Sequence, residues 1–208
     1  MSKLKVDQIS KATGATPAIF TLPAADGTAG QHMETDGSGQ LSFATPPAGG
    51  LAEFDMFCLP TTYTGSLFPI TSMTRLDFGP YGAPVGTGMG HSSGTFSFPS
   101  TGKWLITFHM LAAPTTTADS RCEALLKVST NTGGSYTQVA SDGADTPAIG
   151  SDSRCNMTSV YFMNVSNITT HLVQVGSYLE SASNSVIGMN GSSPSNVNTY
   201  ITFAKVAA

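Results

Sequence analysis

The chain has 208 residues, of which only 11% are charged, against roughly a quarter in an ordinary globular domain. Nine Lys and Arg against thirteen Asp and Glu leave a formal net charge of -4. This excludes electrostatic binding to nucleic acid or to an anionic membrane, because both need clustered cations and the only group, Lys3, Lys5 and Lys11, is sparse.

Apolar residues make up 40% of the chain, with 11 Phe, 6 Tyr and one Trp, so a core can form. Polarity comes from uncharged Ser, Thr, Gly and Asn, a composition of short strands and turns rather than helices. An all-β protein is expected. Residues 1–44 are poor in large apolar side chains and hold two weak strand patterns, Ala18–Leu22 and Gln40–Phe43. Asp26-Gly27 and Asp36-Gly37 punctuate them as turn pairs. Such a segment cannot bury enough surface to fold alone and is read as an arm clamped by sister chains or by a docking partner. Residues 45–50, Thr-Pro-Pro-Ala-Gly-Gly, read as a linker.

Residues 51–208 read as a head of successive strands. The predicted set is Phe54–Leu59, Ser72–Phe78, Thr95–Phe98, Lys103–Leu111, Cys122–Ser129, Tyr136–Ala140, Met157–Val165, Thr170–Glu180 and Asn198–Val206. In Lys103–Leu111, Trp104, Ile106, Phe108 and Met110 alternate with a mixed set, as in a sheet with one inner face. Loops 79–94, 112–121 and 141–155 separate these strands. The spacing predicts an antiparallel sandwich or jelly roll.

No apolar run approaches the roughly 20 residues of a membrane span. Met1–Phe20 lacks the apolar core of a secretory signal, and three cysteines (Cys58, Cys122, Cys155) do not make a disulfide framework. Synthesis in a reducing cytoplasm is expected, and the four N-x-[ST] sequons at Asn156, Asn164, Asn167 and Asn190 carry no meaning there.

Motifs with chemical potential resolve to bland readings. Gly90-His91-Ser92-Ser93-Gly94 matches G-x-S-x-G, but a nucleophile elbow needs a strand before it and a helix after it, and here a glycine loop precedes a strand. His32, His91, His109 and His171 lack ligand spacing. Asp-Ser-Arg-Cys occurs at Asp119–Cys122 and Asp152–Cys155 and reads as two loop-to-strand entries with buried thiols. Asp142, Asp145 and Asp152 share a loop that could hold calcium, although their spacing matches no loop template and a solvated loop is the reading. The four glutamates, Glu34, Glu53, Glu123 and Glu180, are scattered rather than paired in a cleft. No catalytic, cofactor-binding or metal-binding residue is expected.

Two stretches carry resemblances. Gly94, Phe96, Gly102, Trp104, Ile106, Phe108 and His109 follow a pattern that resembles the globular head of complement component 1q, within the tumour-necrosis-factor-like superfamily of trimeric jelly rolls. Arg75–Phe78 and Thr199–Phe203 are similar to that family's earlier and closing strands. Trp104 and Ile106 stand where Tyr and Phe are usual, and residues 112–156 depart from the family. The resemblance implies a homotrimer, with Trp104, Ile106, Phe108, Tyr161 and Phe203 in core or axis packing. An antiparallel jelly roll hides its edges poorly as a monomer, and a trimer buries an aromatic face around its axis.

Leu22–Gln31, Thr35–Phe43 and the opening Ser2–Ile9 resemble segments of appendage proteins of marine bacteriophages. That resemblance implies a virion protein, made in the host bacterial cytoplasm, whose residues 1–44 attach to other virion proteins. The projecting head would bind a host-surface glycan or protein through its loops. The alternative is a capsid decoration or cement protein. Neither reading involves nucleic acid, membrane insertion or a cofactor.

Overall fold

The computed structural model describes residues 6–10, 19–45, 51–77, 82–113, 119–146, 154–189 and 197–207. The chain divides into two units, Met1–Gly50 and Leu51–Ala208. Among the described residues there is no helix.

The first unit contains two hairpins. Strand β1 (Gln8–Ser10) pairs with β2 (Ile19–Thr21), and β3 (His32–Thr35) pairs with β4 (Leu41–Ala44). A hydrogen bond from the Thr21 N–H to the Gly39 carbonyl (2.8 Å) links them. The turn between β3 and β4 is held by Asp36, whose carboxylate accepts from the Ser38 N–H (2.8 Å), the Ser38 hydroxyl (2.6 Å) and the Gln40 N–H (3.1 Å). These bonds, the Ser38 hydroxyl foremost, lower the Asp36 pKa. Strands β1 and β3 were not predicted: Met, Glu and Gln are weak strand formers, and only pairing commits them. Residues 46–50 of the predicted linker lie outside the described residues.

The second unit is a sandwich of two antiparallel sheets. The larger takes β5 (Phe54–Cys58), β6 (Tyr63–Thr64), β7 (Thr74–Arg75), β10 (Gly102–Ala113), β13 (Cys155–Val165), β15 (Ser185–Val186) and β16 (Tyr200–Ala207). Its central run is β13-β10-β16-β5-β7. The smaller has the order β12-β11-β14-β9-β8, from β8 (Gly90–Ser92), β9 (Thr95–Ser97), β11 (Asp119–Ser129), β12 (Thr137–Thr146) and β14 (Leu172–Leu179).

The core lies between the sheets. Trp104, Ile106, Phe108 and Met110 of β10 face Leu126, Val173 and Val175 of the smaller sheet, with Phe96, Phe98, Met157, Ile201 and Phe203 filling the rest. At about 2–3 kcal/mol for each large side chain removed from water, this layer dominates the stability of the unit. Of the five residues expected in core or axis packing, Trp104, Ile106, Phe108 and Phe203 are fully buried in the core; Tyr161 points inward opposite Ile106 but is half-buried, because β13 is the sheet's outer strand.

Several predicted boundaries move. Ser72–Phe78 shrinks to Thr74–Arg75, because only Phe57 and Cys58 offer β7 a ladder, and Phe78 lies outside the described residues. Within predicted loop 79–94, Gly90–Ser92 is a strand, closed onto β9 by a two-residue turn at Ser93 (φ 48°) and Gly94 (φ 80°). Both residues are left-handed, as the turn that matches strand twist requires. Loop 112–121 contracts, because β10 runs to Ala113 and β11 starts at Asp119, so the first Asp-Ser-Arg-Cys is part of a strand and not a loop-to-strand entry. In loop 141–155, β12 continues to Thr146 because β11 pairs with it that far, Cys122 opposite Ala144 and Asp119 opposite Thr146.

Candidate oligomer interface

The surface that stands out is the outer side of the larger sheet. Residues directly opposite each other in a ladder point the same way, so the register defines rows across it. One row is Phe162, Leu105, Ala204 and Phe54; the next is Val160, Thr107, Thr202 and Met56. Phe162 is 53% exposed, Val160 51% and Leu105 37%, while Phe54, Met56 and Ala204 are half-buried. Neither row contains a charge. A polar row of Asn164 and Lys103 borders one end, and Thr158, His109 and Tyr200 border the other. Beside Phe54 and Met56, an open recess of about 70 Å³ is lined further by Asp55, Leu76, Gly82, Ala83 and Pro84.

These side chains are outward because of strand parity. Trp104, Ile106 and Phe108 take the inner positions of β10, which puts Leu105 and Thr107 outside. In Met157–Val165 the apolar residues occupy both parities, so the strand reads as buried on both faces. The core covers Met157, Tyr161, Met163 and Val165; Val160 and Phe162 are left for something else.

His109 sits at the rim with its Nδ1 2.9 Å from the Thr158 hydroxyl and its ring stacked on Tyr200, centroids 5.0 Å apart. Burial pushes its pKa down, with a hydrogen bond to Asn156 opposing. At the β12–β13 edge, the Asp142 carboxylate accepts from the Thr158 N–H (2.7 Å), and the Ser159 hydroxyl donates to the Ala124 carbonyl (2.7 Å). Each bond clasps one sheet to the other.

On the far side of β5, two carboxylates tie down the segment 84–89. Glu53 accepts from the Thr87 N–H (2.8 Å) and the Gly88 N–H (3.3 Å). Asp55 is 3% exposed and accepts from the Met89 N–H (2.7 Å), the Met56 N–H (2.9 Å) and Arg75, whose Nη2 lies 3.0 Å away. Arg75 also donates to the Met89 carbonyl and lies over the Phe57 ring. Next to it, His91 stacks on Phe96 with centroids 4.5 Å apart, and its Nε2 is buried without a hydrogen bond. Burial first, and the Arg75 charge second, lower its pKa.

The other sequence candidates do not gather. Ser92 is exposed in a strand–turn–strand hairpin, without the helix that an elbow requires. Asp142 and Asp145 lie on β12 rather than in a loop, Asp142 is engaged by Thr158, and Asp152 lies outside the described residues. Among the described residues, no three metal-ligating side chains form a cluster. Cys58, Cys122 and Cys155 are buried, and burial pushes the Cys58 thiol up to about 11. Of the three predicted loops, residues 79–81, 114–118 and 147–153 lie outside the described residues.

No family of known sequences matches the chain, and no curated protein does. Solved structures do. Murine APRIL aligns over 74% of this chain and 98% of its own, at 12% identity and a TM-score of 0.51. Eiger TNF from S. frugiperda aligns over 76% of this chain and 94% of its own, at 10% identity and a TM-score of 0.54. The fold is a tumour-necrosis-factor-like jelly roll. At these identities the likeness concerns the backbone, so the side chains of the TNF-like head speak for themselves. Its outward residues Leu105, Val160 and Phe162 were missed in the sequence. The detectable signal was the run Val160-Tyr161-Phe162-Met163, which a one-faced strand does not need.

Proposed function

We propose that the chain is a non-enzymatic bacteriophage virion protein: a homotrimeric fibre, spike or knob attached by residues 1–44, whose head adheres to a host-cell surface. The observation that carries the trimer is the uncharged outer face of Phe162, Val160, Leu105, Phe54 and Met56. An exposed apolar surface rimmed by polar residues marks an interaction site, and closed symmetry lets one surface serve every copy. The TNF-like fold fits a trimeric head. The phage assignment is supported by the resemblance of Ser2–Ile9, Leu22–Gln31 and Thr35–Phe43 to appendage segments. The finer role, adhesion through the head rather than capsid decoration, rests on that resemblance as well.

Light scattering on the 51–208 head, which contains the whole buried core, tests the trimer. Three times the monomer mass is expected, and a monomer would overturn the reading. Adhesion is tested by competition: the isolated head should reduce phage attachment to its host cells. A virion carrying many copies in a capsid lattice would instead favour decoration.

A further inference from the structure

The N-terminal unit has strands, ladders and turns, but among its described residues, 6–10 and 19–45, no side chain is buried. Several of its apolar groups lie open: Ile9 is 53% exposed, Phe20 38%, Ile19 48% and Met33 48%, while Leu41 and Phe43 are half-buried. They are also organised. Ile9 stands directly opposite Phe20 and Met33 opposite Phe43, so each hairpin shows an apolar cross-strand pair on one face. An isolated two-stranded hairpin is marginal in water, and two hairpins joined at Thr21 and Gly39 still bury no side chain fully.

We infer that this unit is completed by the same unit of sister chains, with the Ile9/Phe20 and Met33/Phe43 pairs buried between copies. The inference rests on the trimeric reading of the head. Two observations select sister chains over a foreign partner. First, residues 1–50 hold three lysines (Lys3, Lys5, Lys11) and four acids (Asp7, Asp26, Glu34, Asp36), a net charge of only -1, so copies repel little and the unit carries no strong charge for an oppositely charged surface. Second, each unit is tied by residues 45–50 to a head with its own apolar face, and a short tether holds sister units at an effective concentration of about a millimolar. The attachment point offered to a virion is then a three-chain β structure rather than a loose strand.

Hydrogen exchange on the full-length chain, with its mass followed in parallel, tests this. Amides of β2, β3 and β4 are expected to exchange at least about tenfold slower in the wild-type trimer than in Phe20→Asp. The same loss is expected in full-length Phe162→Asp if that change separates the heads. A wild-type trimer whose arm amides exchange freely overturns this inference alone, as does protection that survives Phe20→Asp or separation of the heads. A wild-type monomer overturns the reading of the head, and the inference falls with it.

Discussion

Replacing Phe162 with Asp puts a carboxylate in the middle of the head's outer apolar rows. Phe162 is 53% exposed, and a phenylalanine offers on the order of 200 Å², so about 100 Å² in each copy is open to a partner. At about 25 cal/mol per Å², covering that area is worth about 2.5 kcal/mol per copy. A buried carboxylate without a cationic partner loses this and adds several kcal/mol of desolvation, three times over in a ring of three. The folded monomer gives up the half of the ring that its own sheet covers, at most about 2 kcal/mol, and keeps its core, because Phe162 points away from it. The assay is light scattering on the 51–208 head beside its circular dichroism spectrum. Phe162→Asp should be a folded monomer, while Tyr178→Asp, at an exposed position on the other sheet, should leave the trimer intact. A Phe162→Asp head that stays trimeric, or a Tyr178→Asp head that dissociates, would refute the reasoning.

Further expectations concern the fold itself. Arg75→Met strands the Asp55 carboxylate, 3% exposed, and should cost about 3 kcal/mol in urea unfolding, whereas Tyr178→Phe on the surface should cost under about 0.5 kcal/mol. Gly176→Ala places a methyl against the Phe68 ring and 2.8 Å from the Leu67 carbonyl oxygen; it should lower stability by about 1–3 kcal/mol, and an unchanged melt would disprove the packing. His91 and His109 both have folded pKa values below the usual 6.5, so the unfolded chain takes up protons that the fold refuses. Stability should therefore be full above pH 6.5 and decline as the pH falls below it, and a double His91→Phe, His109→Gln variant should flatten the slope of melting temperature between pH 7 and 5.

Legibility varied along the chain for identifiable reasons. Strand β10 was plain because Trp104, Ile106, Phe108 and Met110 mark one face against Lys103, Thr107 and His109. Strand β12 was cut short at Ala140 because Ser141-Asp-Gly-Ala-Asp is turn chemistry in isolation; pairing with β11 and the Asp142–Thr158 bond override it. Gly90–Ser92 was hidden by its glycine-rich surroundings and exists as a strand because Thr95, Phe96 and Ser97 provide its ladder. The candidate interface was half legible. The inner set was named, but periodicity does not say which of two apolar faces a core will claim, and this left Val160 and Phe162 unassigned. The open side chains of the arm followed the same logic, since a lack of burial is a property of the assembled ladders and not of any one residue.

The position of β5 has a mechanical consequence. The strand that receives the chain from the linker is held on one side by five ladder pairs, Phe54–Cys58 against Ala204–Tyr200, and on the other by β7. A pull directed along β5 loads those five pairs together in shear instead of opening them one after another. Glu53 and Asp55 add a second attachment, because the strap they hold at Thr87, Gly88 and Met89 must let go before the strand can slide. Tension entering at the linker is therefore shared across the sheet from its first residues.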